Sequence, residues 1–487
     1  MSIPKNIFFG LLIFTGLRIN AQDYEASRFG IRPDSVTLNT RSIQFAIDFV
    51  SRSGGGRLIF ESGRYLTGSI HLKSGVTLEL RKGAVLLGST DPMDYDKENF
   101  TALIFSIGAH DIGITGQGSI DGQGSREVSR LMALISSGLV RDPMYGNRPN
   151  ETLRPMLIYF RGCERVTVKN ITAQNSASWV QTFDQCSLLR IDSIHVNSRA
   201  FWNNDGMDIV DCDSVRITHC DINAADDGIC LKSHDAKKIC QHIFIGYNRI
   251  CSSANAIKFG TASFGGFSHI LIVGNEVYDT YRSVLALEAV DGGSIRDVIA
   301  DSNHAVHTGN AVFLRVADRT GRHSSTLQNV QISHLIVEIA RAKPDSGFAF
   351  EGPVENQPRN ISPLVIAGLP AMDVRNITFD HVTIGYPGGG SRQIASILPE
   401  QLDSIPELPK NYPEFSMFRE LPAWGIFIRH ASNIQFNHLV LTCKDPDYRP
   451  AIVLDDCKEI KFTGTQIKGT SAKMKIYARA SGEVKLK

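Results

Sequence analysis

The chain has 487 residues, with 51 Lys plus Arg against 50 Asp plus Glu. That balance leaves no global field to select nucleic acid or an anionic membrane, so local charge must carry any specificity. The length would suit two or three ordinary domains, but elongated repeat folds escape that rule.

The first residues read Met-Ser-Ile-Pro-Lys, then an apolar run from Ile7 to Leu17, then Arg18-Ile-Asn-Ala21. A charged start, an apolar stretch too short to span a bilayer and a small residue near its end predict a secretory signal peptide over residues 1–21. A buried first strand or helix is the competing reading. Export to the periplasm or beyond the cell follows from the first reading. No later segment is long and apolar enough to cross a membrane.

From mid-chain onward one pattern recurs: apolar, any, apolar, two of any kind, an inward residue, any, apolar. It starts as Val166-x-Val168-x-x-Ile171-x-Ala173 and Leu189-x-Ile191-x-x-Ile194-x-Val196. It returns at Val215, Ile243, Ile270, Val298, Val330, Ile377, Ile434 and Ile460. Alternation with period two means strands. A repeat of roughly 23 to 28 residues at first, without helical periodicity, places those strands on successive turns of a solenoid. The prediction is all-β, a parallel β-helix occupying residues 22–487, because a propeller needs longer, hairpin-joined blades. Asn248, Asn275 and Asn303 share one repeat position, where stacked amides can satisfy one another.

Each repeat also carries a second strand just before the next copy. Aligning these strands gives a polar column at their entrance: Asp205, Asp227, Asn255, Arg282 and Asn310. Asp205 and Asp227 then lie one coil apart, roughly 5 Å in backbone. Two stretches interrupt the repeat, around 122–155 and 340–425, and both are long enough to wall a groove. Nine cysteines include five between Cys212 and Cys251 but no C-x-x-C pair, which favours buried thiols or an occasional disulfide over zinc.

The chemistry concentrates in Asn203-Asn-Asp205-Gly and Ala224-Ala-Asp226-Asp227-Gly-Ile. A lone Asp-Gly pair usually just makes a turn. Two such pairs in register, with a third aspartate attached, point to function instead. Crowded carboxylates resist ionising together, so one keeps its proton, and an acid beside an ionised base is the pair that breaks a glycosidic bond. The cluster, with Asp208, could also hold calcium for an elimination reaction. A non-catalytic carbohydrate-binding β-helix is the third reading.

At these residues the sequence resembles glycoside hydrolase family 28, the polygalacturonase-like enzymes. The likeness rests on Phe29-Gly-Ile, Gly54-Gly-Gly-Arg-Leu-Ile-Phe, Gly63-Arg-Tyr-Leu-Thr-Gly, Arg154-Pro and Asn175-Ser-x-x-Trp179. Its centre is Asn203-Asn-Asp205-Gly-x-Asp208 followed by Asp226-Asp227-Gly-Ile-Cys-Leu-Lys232-Ser. The resemblance implies a right-handed, pectin-lyase-like β-helix. It implies Asp226 as general acid, Asp205 and Asp227 as the residues that orient and deprotonate water, and inversion without metal or organic cofactor. Its implied partner is an acidic, pectin-type polysaccharide, and a monomer is expected.

Two departures bear on the substrate. The family's Gly-His-Gly segment reads Cys251-Ser-Ser-Ala-Asn255-Ala here, and its Arg-Ile-Lys segment reads Ser283-Val-Leu285-Ala-Leu287-Glu288. Loss of that cationic clamp argues against ordinary homogalacturonan. Lys232, Lys258, Arg282 and Arg315 are the candidate replacements, with Asn203, Asp208, Asn255 and Trp202 completing the predicted substrate-binding set. Trp179 and Trp202 could each stack a sugar or merely cover a turn.

Overall fold

Parallel ladders run through the chain from the pairing of Asp23 with Arg57 to that of Ile460 with Val484. The computed structural model describes residues 22–97, 100–144, 146, 148–344, 363–393, 397–469, 475–482 and 484–486. The predicted signal peptide lies outside the described residues, as do parts of the two predicted insertions. No helix among the described residues is long and apolar enough to cross a membrane.

One coil shows the construction. The strand Met207–Val210 leads to Asp213–Thr218 and then Asp221–Ala224, after which the chain rises to Ile229–Ser233 and repeats. Each strand pairs in parallel with its counterpart in the next coil: Met207 with Ile229, Val215 with Ile243, Asp221 with Arg249. The chain is a right-handed parallel β-helix, as parallel strands joined by crossovers favour that hand.

The repeat positions read from the sequence stack in register. Val166, Leu189, Val215, Ile243, Ile270, Val298, Val330, Ile377, Ile434 and Ile460 form one unbroken Cα-paired row. All ten are buried in one continuous core. Further along, Phe379, Phe436 and Phe462 stack with ring centroids 4.9 Å apart.

Corners carry a second column. The residue before each inward corner position has a positive φ, as at His219, Tyr247, Gly274, Ser302, His334, His381 and His438. That left-handed step turns the chain sharply within one residue. The inward residue then closes the corner: Asn248 donates its amide to Asn275 Oδ1 at 2.9 Å, and Asn275 to Asn303 Oδ1 at 2.9 Å. Backbone N–H groups of Cys220, Asn248 and Asn275 donate to the amide oxygens of Asn248, Asn275 and Asn303 in turn. All nine cysteines are buried free thiols, so no disulfide forms.

The helix Thr40–Arg52 covers the first coils with Ile43, Ala46, Ile47 and Val50. A second helix, Gly124–Ser136, occupies the first insertion.

The ladder makes a stability prediction. Asn275→Ala leaves buried N–H and C=O groups unpaired and is expected to cost about 1–3 kcal/mol in urea unfolding. Gln331→Ala, at an exposed strand position, is expected to stay within about 0.5 kcal/mol of wild type. Equal effects would remove the ladder as a source of stability.

Candidate active site

The outward face of the first sheet explains where chemistry can sit. One outward row runs Tyr159, Thr182, Asp208, Cys230, Lys258, Ala286, Phe313, Val365, Phe427, Val453. Its ends are apolar and covered. Phe105, Met156, Tyr159 and Trp179 cluster on one side. On the other, Leu402, Ile405, Phe415, Phe418 and Leu421 from the second insertion bury Phe313, Val365 and Phe427. Between them lies a polar island, and every carboxylate singled out above is in it.

Asp226 and Asp227 fall in the bend between strands Asp221–Ala224 and Ile229–Ser233. A continuous strand would send neighbouring side chains to opposite faces; the bend removes that constraint. The Asp226 carboxylate accepts a hydrogen bond from the Asp227 N–H at 2.8 Å. The glycines after Asp205 and Asp227 answer to crowding between coils. A Cβ on Gly206 would lie 2.5 Å from the Gly228 carbonyl, and one on Gly228 would lie 2.7 Å from the Ala256 carbonyl. These Asp-Gly pairs therefore let coils approach closely at the site.

Stacking brings the carboxylates together. One oxygen each of Asp205 and Asp227, with Cys230 Sγ, all lie within 4.8 Å of one another. Two lysines compensate them. Lys232 Nζ lies 3.0 Å from Asp208 and 3.4 Å from Asp205, with the Trp179 ring centroid 4.9 Å away. Lys258 Nζ lies 3.1 Å from Asp227 and donates to the Tyr412 hydroxyl at 2.9 Å. Burial opposes both ammonium charges, yet the adjoining carboxylates hold them firmly protonated.

The three aspartates separate in acidity. Burial, and then the neighbouring Asp227 charge, raise Asp226. Burial, followed by the Asp208 and Asp226 charges, raises Asp205 well above the usual range. Burial works against the Asp227 charge too, but Lys258, Lys232, Arg282 and the Asn255 hydrogen bond bring it down to about 2. Asp208, buried but paired with Lys232, is held at about 6. Asp227 is thus the ionised member. Asp226 is the only one of the four with appreciable exposure.

The predicted substrate-binding residues divide. Asn255 faces Asp227, donating its amide at 2.8 Å and its backbone N–H at 3.0 Å to one carboxylate oxygen. Its own amide oxygen accepts from the Ser283 N–H, so it positions Asp227 and is not free for sugar. Asp208 is wholly buried and holds Lys232. Asn203 accepts from Arg154, which also grips the Ala177 and Trp202 carbonyls, so this group shapes the turn entering Asp205. The Trp202 ring, half-buried, lies under Arg148 at 4.5 Å. Trp179 is covered by Lys232 and Phe100 and is not a sugar platform. Arg315 is a correction: it is fully buried, and its guanidinium donates to the carbonyls of Ala367, Gly368, Glu407 and Leu408.

Arg282 corrects the predicted column by one residue. Ile257 pairs with Leu285, which puts Ser283 above Asn255, and Ser283 pairs with Asn310. Arg282 instead continues the row of Asn204, Asp226 and Ala254, marked by its N–H bond to the Ala254 carbonyl. The sequence column sets Arg282 level with Asn255, but a register shift between Thr280 and Ser283 puts Ser283 there instead, and a one-residue slip changes the face a side chain occupies.

Three residues of the site were not singled out from sequence. Glu288, wholly buried, lies 4.0 Å from Lys258 and is pushed up to about 7 by burial against the lysine's pull. Tyr412 and Glu414 come from the second insertion; Glu414 lies 2.9 Å from Arg282 Nε. Their only sequence cue was an aromatic and an acid beside Pro413 in a long loop. A separate shallow cavity of about 350 Å³, lined by Glu79, Arg81, Lys82 and Lys169 among others, contains none of these residues.

With this geometry in view, comparison with known proteins adds the lineage. The model of the glycosyl hydrolases family 28 matches residues 60–249, spanning Asp205, Asp226 and Asp227. Over those residues the chain is similar to glycosyl hydrolase family 28. Among curated relatives, a probable polygalacturonase of Vitis vinifera is 28% identical over 325 residues, covering 62% of this chain. The match spans 59% of that protein, so this chain covers about three fifths of its length. An exo-poly-alpha-D-galacturonosidase of Dickeya chrysanthemi is 23% identical over 439 residues, 74% of this chain and 71% of its own. Among solved structures, the family 28 exopolygalacturonase of Yersinia enterocolitica aligns with a TM-score of 0.65. It covers 95% of this chain and 78% of its own at 19% identity, a likeness of fold.

The Asp227–Lys258 pair makes this site testable in any family 28 member with the same residues. Lys258→Met strands a buried carboxylate, and such a break costs about 3–5 kcal/mol at neutral pH. The folded Asp227 titrates near 2 against an ordinary 3.8, so the pair's contribution is complete above the ordinary value and is lost as pH falls through about 2. The wild-type-minus-variant gap in urea unfolding is therefore expected to narrow from pH 7 to pH 2.5. A constant gap would assign the loss to packing alone.

Proposed function

We propose that this chain is an inverting glycoside hydrolase that cleaves α-glycosidic bonds in pectin-type polysaccharide. The carrying observation is the split in acidity among three stacked aspartates: Asp226 raised and outermost, Asp227 ionised, Asp205 within 4.8 Å of Asp227. Asp226 donates its proton to the departing glycosidic oxygen. A water held by Asp205 and Asp227 attacks the anomeric carbon from the opposite face and passes its proton to that pair, which carries one negative charge. Inversion requires room for that water between acid and base. The family 28 match over residues 60–249 and the names of the Vitis and Dickeya relatives support the pectin class. The apolar run Ile7 to Leu17 supports export of the enzyme to where such polymers occur.

Calcium-dependent elimination is the weaker reading on the geometry. A divalent cation between Asp205, Asp208 and Asp227 would meet the ammonium groups of Lys232 and Lys258, already 3.0 to 3.4 Å from those oxygens.

Asp226→Asn is expected to lower turnover on a pectin panel by about 10²- to 10⁴-fold, the usual size of a general-acid contribution. Wild-type products are expected to lack an unsaturated chromophore, to survive excess chelator and to appear as the inverted anomer by NMR. An ultraviolet-absorbing product lost on chelation would replace this reading with the lyase.

The pH profile follows from the same groups. A general acid must hold its proton, so kcat/KM falls as pH rises through the raised Asp226 value. Asp227 must be ionised, so the acid limb lies far lower, near its value of about 2. An optimum on the acid side of neutrality is expected; a profile still rising at alkaline pH would remove Asp226 as the acid.

A further inference from the structure

We infer that Glu414 withholds Arg282 from the substrate, and that the sugar unit seated against Asp226 is an uncharged glycosyl residue. The inference rests on the hydrolase reading only for the placement of Asp226, and it names the charge class of the unit bound there.

Three cations stand at the carboxylate cluster, and a protein carboxylate already answers each. Lys232 is 3.0 Å from Asp208, Lys258 is 3.1 Å from Asp227, and Arg282 is 2.9 Å from Glu414. Asp205, Asp226 and Glu288 add further carboxyl groups against the same three cations. A uronate entering here would have to displace Glu414 or remain uncompensated in a desolvated setting, and like-charge juxtaposition is strongly unfavourable. All three cations are buried: the side chains of Lys232, Lys258 and Arg282 are only 10%, 2% and 10% exposed.

A second observation concerns what the site lacks. Asp205 Oδ1 and Glu288 Oε1 are buried carboxyl oxygens without a hydrogen-bond partner, and so are Arg282 Nε and Glu414 Oε2, whose 2.9 Å contact is an ion pair rather than an aligned hydrogen bond. A sugar hydroxyl can donate to or accept from a carboxyl in either protonation state, whereas a carboxylate can only accept. The cluster therefore suits hydroxyl groups better than a second anion.

Glu414 is held in place by packing. Its neighbours Phe415 and Phe418 are buried against Phe313, Val365 and Phe427 on the sheet's outer face. Tyr412, two residues earlier, accepts from Lys258. The segment from Tyr412 to Glu414 therefore closes two cations at once, and Arg282 is the one whose row leads directly to Asp226.

The test compares digalacturonate with its methyl ester, which caps each carboxylate with one methyl group and removes its charge. Calorimetric titration into the full-length Asp226→Asn chain is expected to show the ester binding at least about tenfold more tightly than the free acid. Adding Glu414→Gln, which keeps shape and removes charge, is expected to strengthen the free acid about tenfold and make its binding salt-sensitive. Glu414→Asp, which keeps the charge, is expected to leave the free acid weak. That pattern separates electrostatics from damage to the loop.

Tighter binding of the free acid to Asp226→Asn, an ester-to-acid ratio unmoved by Glu414→Gln, or binding of neither ligand would each overturn the inference. Wild-type turnover decides the hydrolase reading separately. A chain that hydrolyses unesterified galacturonan without chelator sensitivity would retain that reading and lose this one.

Discussion

Parallel in-register stacking governs this molecule. Because Val166 and nine later counterparts pair row upon row, any residue at a given coil position meets its equivalent one strand spacing away, roughly 4.8 Å. Inside the coil the rule yields columns of Val, Ile and Phe and the asparagine ladder. Outside it, the same rule can pile like charges on one another. Asp205 and Asp227 are brought within 4.8 Å by it, a proximity that an isolated pair of surface aspartates would avoid.

What makes that crowding tolerable is the matching row of cations. Lys232 and Lys258 reach the carboxylates from neighbouring outward positions, and burial strengthens the interaction by excluding water. The compensation is unequal. Asp227 receives Lys258 and Asn255 and is brought down to about 2, whereas burial and the Asp227 charge raise Asp226. A difference in partners thus separates chemically identical side chains in acidity.

The flanking apolar clusters then define the limits of the site. On one side Trp179, Tyr159 and Phe105 seal the row; on the other the second insertion lays Phe415 and Phe418 over the sheet. Anchoring that insertion also delivers Tyr412 and Glu414 to Lys258 and Arg282. Loop packing and site electrostatics are therefore one feature, and the loop's hydrophobic contacts set which charges a ligand meets.

The amino-acid sequence by itself determined the coil register, because period-two burial repeated along the chain leaves one alignment that keeps every apolar residue inside. It also determined the aspartate cluster, since Asp205 and Asp227 occupy equivalent positions of consecutive repeats. Tertiary structure decided the rest. The shift between Thr280 and Ser283 moved Arg282 into the Asp226 row, an irregularity that apolar patterning does not encode. Arg315 looked like a groove cation until loop carbonyls enclosed it. Glu288, Tyr412 and Glu414 became site residues only through contacts between segments far apart in the chain, where local periodicity carries no information. Short-range order follows from alternation and stacking; the partners of each buried charge depend on which distant surface folds over it.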